Sequence, residues 1–232
     1  MLSVIIPTLN EEKYLPKLLE SIKKQSFKDY EIIVADYNSK DKTRQIAKKY
    51  GCRIADGGKP PEARNNGAKI AKGNILFFID ADCIIGKDFL KKSLNEIKRK
   101  NLGVAGCYLW PLSKIIIDKI AFALFNLWLF SVQLFYPNAP GSAIFCKKSI
   151  HKEIKGFDET IKLSEDMDYV RRAGKHGKFR ILSSVKTYTS MRRFDRERRL
   201  SLFSKLFFSA VYRLIFGEIK TDRFKYGFEY KK

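Results

Sequence analysis

Three short apolar runs in the N-terminal part of the chain, each closed by polar residues, constrain the fold more than any other feature. Residues 3–7, 31–35 and 74–79 are too short for helices and rich in β-branched side chains, so they read as buried strands. Between them, residues 13–24, 41–50 and 62–71 carry helix formers at helical spacing. Parallel strands need long crossovers, so this alternation predicts an α/β fold, a Rossmann-like, mostly parallel twisted sheet flanked by helices. Ligands on such sheets bind beyond the carboxyl ends of the strands. The polar clusters Thr8-Leu9-Asn10-Glu11, Asp36-Tyr37-Asn38-Ser39 and Asp80-Ala81-Asp82 all fall there.

Residues 88–99 continue as a helix, 102–110 as a strand and 181–188 as another strand. The character then departs from that of the first half in two stretches. Residues 115–136 are largely apolar, with Lys119, Asn126 and Gln133 recurring every seven positions along one side of a helix. Residues 200–216 repeat the pattern, with Ser201, Ser204, Lys205, Ser209 and Arg213 at three- and four-residue steps. A core helix, a membrane span and an in-plane amphipathic helix all fit such a pattern. A polar seam is costly in hydrocarbon, and aromatic residues with flanking basic charge favour the in-plane reading. The division is therefore a domain over 1–190, with halves 1–110 and 111–190, followed by a basic amphipathic segment over 191–232.

The charge points to an anionic partner. The 232 residues carry a formal net charge of +21, and from Arg171 to Lys232 there are 18 Lys/Arg against 5 Asp/Glu. Nucleic acid, an anionic membrane surface and a phosphate-bearing substrate each match that balance. Cys52, Cys83, Cys107 and Cys146 form no Cys-x-x-Cys pair and have no His at zinc spacing. The N-terminus runs straight into the strand pattern with no leader-like segment, so free thiols in a reducing cytoplasm are expected.

The triplet Asp80-Ala81-Asp82 follows the apolar run Ile75-Leu76-Phe77-Phe78-Ile79. Two carboxylates one residue apart give hard oxygen ligands that suit Mg²⁺ or Mn²⁺ on a diphosphate. Alone, the triplet is equally a solvated strand-end turn. It does not stand alone. The segments 4–12 (Val-Ile-Ile-Pro-Thr-Leu-Asn-Glu-Glu), 33–43 around Asp36, 63–68 (Ala-Arg-Asn-Asn-Gly-Ala), the triplet, and Gly156-Phe157-Asp158-Glu159 with Glu165-Asp166-Met167-Asp168 occur in one order. In that order and spacing the chain resembles a family 2 glycosyltransferase of the GT-A fold over about residues 3 to 180.

The resemblance implies a role for each matching residue. Pro7, Thr8, Asn10 and Glu11, with Asp36 and Asn38, would bind the nucleoside, Asp36 accepting a hydrogen bond from the base. Arg64 would face base or diphosphate, a role that a guanidinium at a helix N-terminus suits on physical grounds as well. Asp80 would touch ribose or metal, and Asp82 would be the main metal ligand. Asp166 would be the general base that deprotonates the acceptor hydroxyl, with Glu165 beside it in the acceptor site. Arg192 and Arg193, after the strand-like residues 181–188, are assigned to a donor diphosphate or an acceptor lipid phosphate, with the acceptor side preferred.

The resemblance thus makes 1–110 a nucleotide-sugar-binding half and 111–190 an acceptor-binding half. It implies a metal-dependent inverting transferase that moves one sugar from a nucleoside diphosphate. The amphipathic stretches and basic tail add a lipid-phosphate or lipid-linked saccharide acceptor at the cytoplasmic face of the membrane, reached peripherally or monotopically. Asp36-Tyr37 departs from the usual acidic pair, which leaves the donor base open. The Gln-x-x-Arg-Trp element of processive synthases is absent, which favours single-sugar transfer. A nucleotidyltransferase shares strand-end aspartates but calls for a Gly-rich basic loop where Pro7-Thr8-Leu9-Asn10-Glu11 stands. A nucleic-acid-binding protein explains the charge but finds no recognition motif.

Overall fold

A computed structural model describes residues 1–197 and 199–221; the end of the basic segment, residues 222–232, lies outside them. Among the described residues one sheet contains β1 (Leu2–Thr8), β2 (Tyr30–Asp36), β3 (Arg53–Asp56), β4 (Ile75–Ile79), β5 (Cys83–Ile85), β6 (Val104–Pro111), β7 (Ala143–Lys147) and β8 (Phe179–Thr189). Their spatial order is β3-β2-β1-β4-β7-β6-β8-β5. β3, β2, β1 and β4 are mutually parallel. β7 runs antiparallel to both β4 and β6, and β8 is parallel to β6. With β7 reversed, and β5 antiparallel to β8 at the edge, β1, β2, β4, β6 and β8 point the same way, so their carboxyl ends share one edge. β3, β5 and β7 are short strands that the sequence patterning did not single out; β7 makes the sheet mixed.

Helices cover both faces. α1 (Leu15–Lys23), α2 (Thr43–Lys49) and α4 (Phe89–Arg99) pack on one face against Val4, Ile6, Phe77 and Ile79. α3 (Pro60–Ile70), α5 (Ile116–Val132), α6 (Lys148–Glu153) and α7 (Glu165–Ala173) pack on the other, against Ile5, Leu76 and Phe78. The strict alternation along β1 and β4 is what a strand buried on both faces requires. α3 approaches β1 closely because Gly67 has no side chain; a Cβ there would lie 2.5 Å from Ile5 Cγ2. Two further helices, α8 (Arg192–Glu197) and α9 (Arg199–Phe216), follow β8.

α5 is amphipathic in an inverted sense. Its buried residues are Asp118, Phe122, Asn126 and Leu129, and the C-terminal Gln133 is buried beside them. Asn126 accepts from Leu109 N–H at 3.1 Å and donates to Leu109 C=O at 2.7 Å. Gln133 accepts from Ile181 N–H at 3.0 Å. β7 pairs with β6 only over Val104–Gly106, so beyond that point the helix supplies the hydrogen bonds a strand would have made. The polar seam seen in the sequence thus faces the sheet, except for Lys119, which is exposed. The outward side carries Ile116 (65% exposed), Ile120, Leu124, Leu127, Phe130 and Phe135 (88% exposed). α9 repeats the inversion, with Ser209 and Arg213 buried and Phe208, Ile215 and Phe216 exposed. Among the described residues no helix is long and apolar enough to cross a membrane.

The β6–β8 pairing shifts register between Cys107 and Tyr108, so Cys107 opposes Leu182 and Tyr108 opposes Lys186. The intervening Ser183 and Ser184 turn their N–H groups onto the buried Glu96 carboxylate of α4 at 3.2 and 3.0 Å. Burial opposes the charge of Glu96, but Lys100 and these serines outweigh it and bring the carboxyl down to about 2. The bond set is therefore fully present above the ordinary carboxylate range and is lost as pH falls from about 4.5 toward 2. Glu96→Gln is expected to lower stability at neutral pH by about 1–2 kcal/mol. In urea unfolding, the gap to the parent protein should narrow over that acidic window.

Candidate active site

At the shared strand edge, the ends of β1 and β2 are tied together. Thr8 Oγ1 donates to Asp36 Oδ1 at 3.0 Å. Ser39 donates to the same carboxylate from both its backbone N–H (3.1 Å) and its hydroxyl (2.5 Å). Asn10 and Asn38 hold left-handed backbone, φ 54° and 49°, a conformation asparagine tolerates better than most residues. Asn10 N–H reaches Ser39 Oγ at 2.9 Å, and its Oδ1 accepts from Lys40 N–H at 2.8 Å. Pro7 pairs with Ala35 in the ladder just before these loops. Thr8, Asn10, Asp36 and Ser39 are thus one connected hydrogen-bonded network at this edge.

The floor is built on Arg64, from the first turns of α3 and only 4% exposed. Its NH2 donates to Asp80 Oδ1 at 3.0 Å and its NH1 to Glu165 Oε1 at 2.7 Å. The guanidinium also lies 5.4 Å from the Phe157 ring centroid. Burial works against its charge, but Asp80, Glu165 and Asp166 outweigh that and hold it firmly protonated. Its Nε has no hydrogen-bond partner among the described residues.

Asp166, next to Glu165 at the start of α7, is oriented by backbone. Gly141 N–H donates to its Oδ2, and Met167 N–H to its Oδ1 at 2.8 Å. Gly141 is required there: a Cβ would sit 2.7 Å from Arg64 NH2 and 3.1 Å from Asp166 Oδ2. Burial and then the neighbouring Glu165 charge push the Asp166 carboxyl up to about 6, against the pull of Arg64 and the two amides. Each oxygen keeps a second lone pair for an incoming hydroxyl. Asp168 instead pairs with Arg171 and Arg172, which fixes it as a structural residue of α7.

Asp82 is brought to Arg192 by β5, whose antiparallel pairing with β8 sets Cys83 opposite Thr189. Ser190 N–H then bonds Asp82 C=O at 3.1 Å. Arg192 donates to both Glu11 oxygens at 2.6 and 2.7 Å, and its Nε lies 3.1 Å from Asp82 Oδ2. Its guanidinium stacks 4.4 Å from the centroid of the Tyr14 ring. Arg192, which the sequence assigned to a donor diphosphate or an acceptor lipid phosphate, thus bridges the acids Glu11 and Asp82. Arg193 is close enough to affect Asp82 as well. Burial lifts the Asp82 carboxyl to about 6, with Asp80 and Glu11 adding to the rise and Arg192 and Arg193 opposing it.

The acids fit a divalent cation in part. Among the described residues no group of three or more ligating side chains converges. Asp80 and Asp82 each give one oxygen to an arginine, which leaves Asp80 Oδ2 and Asp82 Oδ1 as hard donors. Two carboxylate oxygens completed by substrate phosphates are a common Mg²⁺ or Mn²⁺ arrangement. Sequence reasoning missed Gly141, Tyr14 and the placement of Arg192. Gly141 stands in the turn Asn138-Ala139-Pro140-Gly141-Ser142, a turn signal with no chemical one.

A GT-A sheet with acids and arginines gathered at its carboxyl edge defines a nucleotide-sugar-binding class of protein. Residues 3–114, just under half of the chain, match the model described as Glycosyl transferase family 2. It is 39% identical over 99 residues to the poly(ribitol-phosphate) β-N-acetylglucosaminyltransferase TarS of Staphylococcus aureus, a match covering 38% of this chain and 17% of TarS. It is 27% identical over 226 residues to the dolichyl N-acetyl-α-D-glucosaminyl phosphate 3-β-D-2,3-diacetamido-2,3-dideoxy-β-D-glucuronosyltransferase of Methanococcus voltae, covering 84% of this chain and 70% of that protein. The crystal structure of S. aureus TarS 1–349 in complex with UDP-GlcNAc superposes with a TM-score of 0.67 at 26% identity, over 82% of this chain and 58% of that one. The matched part therefore spans well under two thirds of TarS.

Arg64→Leu would leave Glu165 buried without its partner. Chemical denaturation is expected to show a loss of about 3 kcal/mol or more, while the exposed Arg44→Leu changes little.

Proposed function

We propose that the chain transfers a single sugar, with inversion, from a nucleoside-diphosphate sugar to a lipid-phosphate, lipid-linked or membrane-held polymer acceptor. The observation that carries this reading is Arg64, whose one buried guanidinium joins Asp80, on the donor side, to Glu165, the neighbour of Asp166 on the acceptor side. Thr8, Asn10, Asp36 and Asn38, with Pro7, form the nucleoside wall. Arg192, paired with Glu11 and Asp82, would serve as a cation for the donor diphosphate, with Arg193 next in the chain. Asp80 and Asp82 would hold Mn²⁺ or Mg²⁺, which would stabilise negative charge on the leaving nucleoside diphosphate.

The reaction is a direct displacement. Asp166 takes the proton of the acceptor hydroxyl, and that oxygen forms its bond to the anomeric carbon as the bond to the diphosphate breaks. A base with pKa near the working pH is efficient in this role, and burial with Glu165 provides it. The sugar inverts because nucleophile and leaving group occupy opposite faces of the carbon. TarS, bound to UDP-GlcNAc in the solved structure, supports a uridine donor among the alternatives.

The acceptor reading rests on the outward apolar sides of α5 and α9 and on the net charge of +21. An apolar face exposed over several turns, next to excess basic charge, suits the interface of an anionic bilayer. The dolichyl phosphate in the M. voltae enzyme's name agrees with a lipid acceptor. The four cysteines are free and buried, which agrees with a peripheral position on the cytoplasmic face of the cell membrane. Nucleic acid is disfavoured at the site itself, where carboxylates line the crevice.

With UDP-sugars as donors, Asp166→Asn should retain donor binding by thermal shift but lose transfer at least ~10²-fold. The parent protein should lose kcat/KM as pH falls through about 6, because protonation removes the base; an Asp166→Asn protein that turns over normally would refute the assignment. Asp82→Ala should abolish the added thermal shift given by Mn²⁺ together with the donor. Separately, the protein should sediment with phosphatidylglycerol vesicles at low salt. Leu124→Lys with Phe130→Lys on α5 should weaken that binding at least ~10-fold, and failure to sediment at any salt would refute the membrane reading.

A further inference from the structure

Apart from the acidic crevice, β6, β8 and the first turn of α4 line an open cavity of about 530 Å³ whose lining includes Lys87, Lys92, Tyr108, Trp110, Lys186 and Tyr188. That volume is within the range of about 300–1,000 Å³ typical of small-molecule sites. The cavity follows from the β8 bulge. Once Ser183 and Ser184 are held by Glu96, the ladder resumes with Tyr108 opposite Lys186 and Trp110 opposite Tyr188. Tyr108 and Trp110 are the half-exposed positions of β6 between buried neighbours, so both rings stand on one side of the strand, about 6–7 Å apart.

The charge in this cavity is not neutralised by the protein. Among the described residues Lys87, Lys92 and Lys186 form no ion pair with a carboxylate, and Lys186 Nζ is instead held between rings, 5.1 Å from the Trp110 centroid and 5.4 Å from that of Tyr188. The one carboxylate at the rim, Asp88, accepts from Ser26 Oγ at 2.7 Å. The lining therefore carries three ammonium groups against one carboxylate, and this excess of positive charge attracts an anionic ligand. The location is equally informative. β6 and β8 end at Pro111 and Thr189, and Thr189 pairs with Cys83, the residue after Asp82.

We propose that this cavity binds an anionic saccharide, the part of the acceptor chain next to the hydroxyl being glycosylated. Its sugar rings pack on Tyr108 and Trp110, its hydroxyls meet Ser183 and Ser184, and its carboxylate or phosphate groups meet the three lysines. The acceptor role rests on the transferase reading above, whereas the ligand chemistry rests on the cavity alone. Single-stranded nucleic acid is the less suited polyanion, because it needs open ring faces for successive bases, and Lys186 covers one face each of Trp110 and Tyr188.

The chain has two tryptophans, so in a Trp128→Phe background Trp110 is the sole indole reporter. That protein is titrated at one low ionic strength with tetragalacturonate, with uncharged maltotetraose and with a short oligodeoxythymidylate. The expected result is a saturable change in Trp110 fluorescence with tetragalacturonate, weakened about tenfold by Lys186→Ala and by Lys92→Ala. Both variants keep the donor-induced thermal shift. No Trp110 response, equal binding of maltotetraose, tighter binding of the oligonucleotide, or unchanged affinity in Lys186→Ala each overturns the proposal. A retained response in a protein that shows no donor-induced shift supports the saccharide site while refuting the transferase reading.

Discussion

Arg64 is a fixed positive charge buried at the meeting point of α3, the β4 end and α7, and the acids around it are arranged by it. Asp80 comes from the end of a strand and Glu165 from the first turn of a distant helix, yet both reach the same guanidinium. Without that charge, Asp80, Asp82, Glu165 and Asp166 would repel one another in a site of low dielectric. With it, the carboxylates are held close while one of them keeps a proton affinity suited to base chemistry. Gly141 completes the arrangement, since a side chain there would displace the guanidinium or Asp166.

A second cation repeats the device at the mouth of the crevice. Arg192 ties Glu11, from the loop after β1, to Asp82, from the loop after β4. It arrives there because β5 folds back against β8 and hands the chain across the sheet edge. This mouth of the crevice is therefore closed by a residue that follows β8, so its geometry depends on the whole sheet rather than on its first half. The same strand, through its bulge on Glu96, opens the basic aromatic cavity behind that edge. Crevice mouth and cavity are thus two consequences of how β8 is seated.

The amphipathic stretches illustrate how a helix period is ambiguous until it is packed. Spacing alone put Asn126 and Gln133 on one side of a helix, and the sheet decided that this side faces inward. The physical reason is the open edge of β6 beyond β7, whose backbone groups need partners that apolar side chains cannot supply. Once the polar side is spent on the sheet, the apolar residues have only the outside left.

By itself the sequence determined the strand-helix alternation and the carboxyl-edge location of the polar clusters, because these are written in local pattern; Thr8, Asp36, Arg64, Asp80, Asp82, Glu165 and Asp166 were singled out through the resemblance that their fixed order carries. The short strands β3, β5 and β7 were not legible, since runs of three to five residues become strands only when neighbours offer hydrogen bonds. For the same reason the sequence did not show which side chains Arg192 meets: its partners, Glu11 and Asp82, lie far away in the chain and come to it through the antiparallel return of β5. Side-chain chemistry is local and readable. Which charges face one another is decided by strand order and direction, and that only the tertiary structure supplied.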